Sequence, residues 1–114
     1  MDYFAMLNAL HIYADVLLER FCGNTALPES FFRKLPQEPT MPSLTRAMDA
    51  HDWETAENSA HTLKGIAANL ELTCLRDACA ALVDTLRAGQ TDKAVLCYQA
   101  VEAEYGRICG ILQT

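Results

Sequence analysis

The sequence predicts an all-α protein: an antiparallel up-down four-helix bundle with one or two extra short helices at its N-terminal end. Three observations carry this. Apolar residues recur at helical spacing along most of the 114 residues, turn and cap residues cut the chain into helix-length segments, and no alternating β-branched run reaches strand length. Four long segments joined by short connections fold most simply as antiparallel neighbours.

The first segment runs to about Cys22 and carries Leu7, Leu10, Tyr13, Ala14, Leu17, Leu18 and Phe21 at helical spacing, as one helix or two short ones, closed by Gly23-Asn24. Asn24 can cap the next helix, which tolerates Pro28 in its first turn and has Phe31, Phe32 and Leu35 as its apolar residues. Pro36 and Pro39 mark a loop. Thr40 can then cap a helix from about Met41 to Ala50, with Leu44, Ala47 and Met48 facing the core, ended by His51-Asp52. Asp52 is the expected N-cap of a long helix beginning at Trp53, and Glu54 suits the positive end of its dipole. That helix should end near Leu70. Thr73 caps a further helix to about Ala88, with Leu75, Ala78, Cys79, Leu82 and Leu86 inward and Gly89 as its stop. Thr91 starts the last helix, which carries Ala94, Val95, Tyr98, Val101, Tyr105, Ile108 and Leu112. There are no repeats and no low-complexity tracts.

Composition narrows the function. With 51% hydrophobic residues, the chain has enough apolar material for one core, so residues 1–114 are read as a single domain. Fifteen acidic against nine basic side chains give a net charge of −6, which disfavours nucleic acid or an anionic membrane as the main partner. The five cysteines, at 22, 74, 79, 97 and 109, are odd in number and lack C-x-x-C spacing, so a reducing cytoplasm is the expected compartment. The apolar stretch from Phe4 to Leu18 is interrupted by Asn8, His11 and Asp15 and has no basic leader. It reads as neither signal peptide nor membrane span.

The most informative stretch is Ala60 to Leu70, A-H-T-L-K-G-I-A-A-N-L. At about 100° per residue, Ala56, Ser59, Leu63, Ile66, Ala67 and Leu70 gather on one side of the helix. The opposite side collects Glu54, Glu57, Asn58, His61, Lys64, Gly65 and Ala68, with His61 near its centre. A core histidine would sit on the other side. Lys64 at i+3 and Gly65 at i+4 flank the ring with a cation and bare backbone. A mid-helix glycine costs about 1 kcal/mol relative to alanine, so Gly65 requires a compensating reason.

His61, Leu63-Lys64-Gly65, Ala67-Ala68 and Asn69-Leu70 resemble the phosphoacceptor motif of the histidine-containing phosphotransfer (HPt) domains of multistep phosphorelays. Helix order and loop positions extend the resemblance over about Ile12 to Leu112. It implies the bundle fold, cytoplasmic two-component signalling, and a carrier that takes a phosphoryl group on His61 from a receiver-domain aspartate and passes it to another receiver. Expected partners are response-regulator receiver domains and a hybrid sensor kinase. Neutral imidazole, with an ordinary pKa of about 6.5, is nucleophilic without a dedicated base. Phosphoryl transfer then depends mainly on positioning and charge. Lys64 can neutralise phosphoryl oxygens, while Gly65 and Ala68 leave room for a receiver's cleft to close. No cofactor or metal is expected on this chain, with Mg²⁺ held by the receiver's carboxylates; Glu54 and Glu57 would orient the ring or raise its pKa. Most HPt domains place glycine where this chain has Glu71, so the turn after the motif helix is expected to differ. The chain has no room for an ATP-binding domain, and it should lack autokinase activity.

Competing readings stand beside this one. His61 could be a solvated surface histidine, and Lys64 an ordinary exposed lysine. Arg87 either adds positive charge to the docking face or simply complements a helix C-terminus. Asn69 is expected to cap or bridge the helix end. His11 and His51 lack comparable surroundings, and Trp53, Phe31, Phe32, Tyr98 and Tyr105 read as packing. The cysteines read as small buried hydrophobes, Cys74 being the one expected at an exposed helix start. As whole-protein alternatives, the chain could be a module that docks receivers without carrying phosphate, or a metal-binding bundle. The latter needs inward Glu-x-x-His pairs, and the chain has only Glu57 and His61 at i+4, facing outward.

Overall fold

The computed structural model describes residues 2–113. The elements among them are helices: α1 (Tyr3–Ala9), α2 (Ala14–Arg20), α3 (Ala26–Lys34), a 3₁₀ turn (Leu35–Gln37), α4 (Thr40–Asp49), α5 (Trp53–Asn69), α6 (Thr73–Arg87) and α7 (Thr91–Leu112). The N-terminal segment is therefore two helices. The break falls at Leu10 to Tyr13, where His11 takes a left-handed φ of 60° and Tyr13 begins α2 in extended conformation.

Helix α5 packs against both α4 and α6, and α6 also packs against α7. Its buried stripe includes the alanines Ala56, Ala60 and Ala67 together with Leu63, small residues that let neighbouring helices approach closely. Leu44, Ala47 and Met48 come from α4, Leu75, Cys79 and Leu82 from α6, and Ala94, Val101 and Ile108 from α7. Phe32, Leu7 and Leu17 join the same cluster from the N-terminal helices. Each large aliphatic side chain buried this way contributes about 1.5–3 kcal/mol. Polar groups inside are paired: Ser43 and Ser59 hydroxyls meet at 3.1 Å between α4 and α5, and Thr45 meets the Tyr98 hydroxyl at 2.8 Å between α4 and α7. The Tyr105 hydroxyl donates to the Leu35 carbonyl, tying the 3₁₀ turn to α7.

Several apolar residues at helical spacing are not buried. Tyr13 is 79% exposed, and Leu18, Phe31 and Val95 are also on the surface, because the short helices and the last helix each bury a narrower stripe than periodicity alone suggests. Trp53 is half-buried and stacks on His51, with ring centroids 5.0 Å apart. Of the cysteines only Cys79 is buried; Cys22 joins Cys74 in being exposed.

Caps also sort into those that form and those that do not. Asn24 accepts from the Leu27 N–H at 3.1 Å and Asp52 from the Thr55 N–H at 3.3 Å. Thr40 and Thr73 instead lie inside their first turns; the Thr40 hydroxyl bonds Glu38, and neither caps its helix. At the other ends one device recurs. His11, Cys22, His51, Glu71 and Gly89 all have φ between 54° and 71°, and the next residue's N–H reaches back to a carbonyl five residues earlier, as Leu72 does to Ala67 at 2.9 Å. The turn after α5 is thus the ordinary left-handed one, with Glu71 occupying it at φ 60°. Arg20 supports that strained position: its guanidinium donates to the Ala68 carbonyl at 2.6 Å and pairs with the Glu71 carboxylate.

Candidate functional site

Helix α5 starts firmly. Hydrogen bonds from Thr55 to the Asp52 carboxylate satisfy the first turn and hold that carboxyl below its usual range. From there the buried stripe of Ala56, Ser59, Ala60, Leu63 and Ala67 fixes the rotation of the helix, and with it the outward direction of everything opposite. His61 and Gly65 are exposed, and Glu57, Lys64 and Ala68 are half-buried along the flank. Among the described residues, neither the His61 imidazole nor the Lys64 ammonium has a hydrogen bond or ion pair. Both are available to something outside the chain.

Gly65 makes the same point sterically. A Cβ built there would meet nothing within 4 Å, so the bundle itself supplies no reason to forgo alanine. Around the helix axis the site is asymmetric. Relative to His61, Glu57 and Lys64 lie on one flank, and Asn58 and Gly65 on the other.

Arg87, thirty positions beyond Glu57, comes to this face from the last turn of α6, and its Nε donates to the Glu57 Oε2 at 3.2 Å. Of the two sequence readings for Arg87, the fold supplies a specific partner rather than only a helix end. Glu57 is accordingly engaged by Arg87, and no hydrogen bond joins Glu54 or Glu57 to His61; the expectation that these carboxylates orient the ring is not what the structure shows. Asn69 neither caps nor bridges, since its side chain has no hydrogen bond among the described residues. It lies on the rim of a cleft of about 360 Å³ lined also by Phe31, Lys34, Leu35, Glu38, Ile66 and Leu70. Arg20 is the residue at this end of α5 that sequence reasoning missed. Its contacts lie 48 and 51 positions away, beyond the reach of any local pattern. The described residues contain no group of three or more His, Cys, Asp or Glu placed to hold a metal ion. None of their helices is long and apolar enough to cross a membrane.

An exposed, unpaired imidazole on a convex helix, with an unpaired cation one turn on and bare backbone beside it, has no pocket of its own for a small substrate. It can be served by a macromolecule that brings the cleft. The family model described as the Hpt domain matches residues 29–110, which include this whole face. The chain belongs to the Hpt domain family. Hpt domains are phosphocarriers that take part in histidine phosphotransfer in phosphorelays and interact with receiver domains. The match begins at α3 and leaves out α1 and α2, later than the patterning from Ile12 suggested. No curated protein and no solved structure matched the chain.

Proposed function

We propose that this Hpt domain carries a phosphoryl group on His61, accepting it from the aspartyl phosphate of one receiver and returning it to the aspartate of another. The observation that carries the reading is the unpaired, outward His61 beside Lys64 and the open Gly65. In-line attack needs an approach path free of side chains, and Gly65 with Ala68 leaves one on the flank of the ring. Lys64 offsets charge on the phosphoryl oxygens after transfer. Glu57 and Arg87 belong to the surface the receiver meets, and Mg²⁺ is supplied by that receiver's carboxylates.

The same reading takes α4 to α7 as an up-down-up-down bundle, residues 1–114 as one domain, and the chain as a cytoplasmic carrier without autokinase activity, in line with a hybrid sensor kinase upstream. Intact-mass analysis after exposure to a phosphorylated receiver or to phosphoramidate tests it, comparing wild type with His61→Gln. One acid-labile phosphoryl addition in the wild type alone is the expected result. No addition to a folded wild-type protein would refute the carrier role and favour a module that docks receivers without carrying phosphate.

A further inference from the structure

We propose that the outward face of α7 is a dimer seam, on which two copies of this chain pack α7 against α7, antiparallel, with their His61 faces turned away from each other. Ala94, Tyr98, Val101 and Ile108 hold the inner side of α7 in the core. At about 100° per residue, Leu96, Gln99, Ala100, Ala103 and Gly106 then run along the opposite side, and all five are exposed. A helix face that meets only water ordinarily carries charged residues. This line has none from Leu96 to Gly106, on a chain whose net charge is −6. Leu96 is 66% exposed, the most of any large aliphatic side chain among the described residues, and Val95 is exposed beside it.

The two ends of the line point to a second copy as the occupant. Asp92, at its start, has no hydrogen bond or ion pair among the described residues. Arg107, at its far end, places Nε and one Nη on Glu104 at 3.1 and 2.6 Å, and its other Nη has no partner among the described residues. Antiparallel packing about a two-fold axis between Gln99 and Ala100 sets Leu96 of one copy against Ala103 of the other. It also sets Asp92 of one copy against Arg107 of the other, and each contact occurs twice. Leu96 fills the space that the small side chains leave, which lets the helix axes approach. Parallel packing would instead set Asp92 against Asp92 and align the two helix dipoles.

The seam lies away from the phosphoacceptor. Helix α5 packs against α4 and α6, while α7 packs against α6 and is joined to α4 through Thr45 and Tyr98. Helix α7 therefore stands diagonally across the bundle from α5, and its outer face points away from the one that carries His61. The dimer presents two His61 faces on opposite sides, and neither copy blocks the other's access to a receiver. The dimer stands whether or not His61 carries phosphate. One helix from each copy buries no more than the roughly 1,200 Å² at the lower edge of stable interfaces, so the association is reversible and micromolar.

Sedimentation velocity of the full chain from about 1 to about 500 μM tests it, with ¹H–¹⁵N spectra over the same range. The mass should rise from 12.6 kDa toward twice that value. Concentration-dependent shifts should fall on Leu96, Gln99 and Ala103 while His61 and Gly65 stay unmoved. Leu96→Glu should weaken the dimer about tenfold or more. Asp92→Arg or Arg107→Asp alone should weaken it about three- to tenfold, and the combined exchange should return to within about twofold of wild type, because the facing pairs re-form with reversed sign. All three positions are exposed, and circular dichroism confirms that each variant is folded.

A monomer throughout the range would overturn the inference, as would a dimer that Leu96→Glu leaves intact or an exchange variant no tighter than the weaker single variant. Shifts centred on α5 or on the cleft beside Phe31 would place self-association on another surface and overturn it equally. None of these outcomes touches the carrier reading, which the mass analysis of His61 decides separately.

Discussion

Replacing Gly65 with alanine separates what the fold requires from what a partner requires. The residue sits inside α5, twelve positions after its first residue, Trp53, and four before its last, Asn69. A Cβ there meets nothing within 4 Å. Glycine in a helix interior is less favourable than alanine by about 0.8–1.0 kcal/mol, and no clash subtracts from that figure. Gly65→Ala should therefore raise stability by about 1 kcal/mol in urea denaturation and lift the melting temperature by about 4 °C, for a domain of this size. Phosphotransfer from a receiver should fall, because the methyl group stands beside the imidazole where the receiver must close. Gly106 supplies the control. It is also exposed within a helix and open around its Cβ, but it lies on α7, so Gly106→Ala should give a similar gain with transfer unchanged. A Gly65→Ala protein that is more stable and transfers at the wild-type rate would refute the access argument. One that is less stable would refute the claim that the bundle leaves the position free.

Three further outcomes follow from the geometry. Asp52 has its carboxyl held below the usual range by Thr55, so its capping contribution is present above the unfolded carboxylate pKa of about 4 and is lost as pH falls through the lower folded value. The urea midpoint of Asp52→Ala should accordingly lie below that of the wild type at neutral pH and converge with it in strong acid; a gap that persists there would contradict the assigned cap. Cys79 is buried, with its thiol pushed up to about 12 by desolvation, while Cys22 and Cys74 are exposed. Thiol labelling of the native protein at mild alkaline pH should modify Cys22 and Cys74 first and Cys79 only on unfolding, as read by peptide mass mapping. Cys22 holds a left-handed φ of 54° with its side chain exposed, and Cys22→Gly should stabilise the protein by about 1 kcal/mol in the same denaturation assay.

The sequence by itself determined the helices, because each is specified locally. Apolar spacing, the Asp52 and Asn24 caps and the stops at Gly23, His51 and Gly89 act within a few residues, and the structure places α3 to α7 close to where those signals put them. The outward face of α5 was legible for the same reason: once Ala56, Leu63 and Ala67 are buried, helical geometry turns His61, Lys64 and Gly65 outward. Threonine misled at positions 40 and 73, since the residue before each takes the cap position, and the turn at Glu71 was misjudged because its support comes from Arg20, far along the chain. Tertiary structure alone decided which long-range partners meet. It brought Arg87 from α6 to Glu57, set Arg20 on the Ala68 carbonyl, and left Tyr13 and Val95 in solvent. Helical periodicity says which residues share a face, but how much of that face is covered, and by whose side chains, depends on how the helices pack.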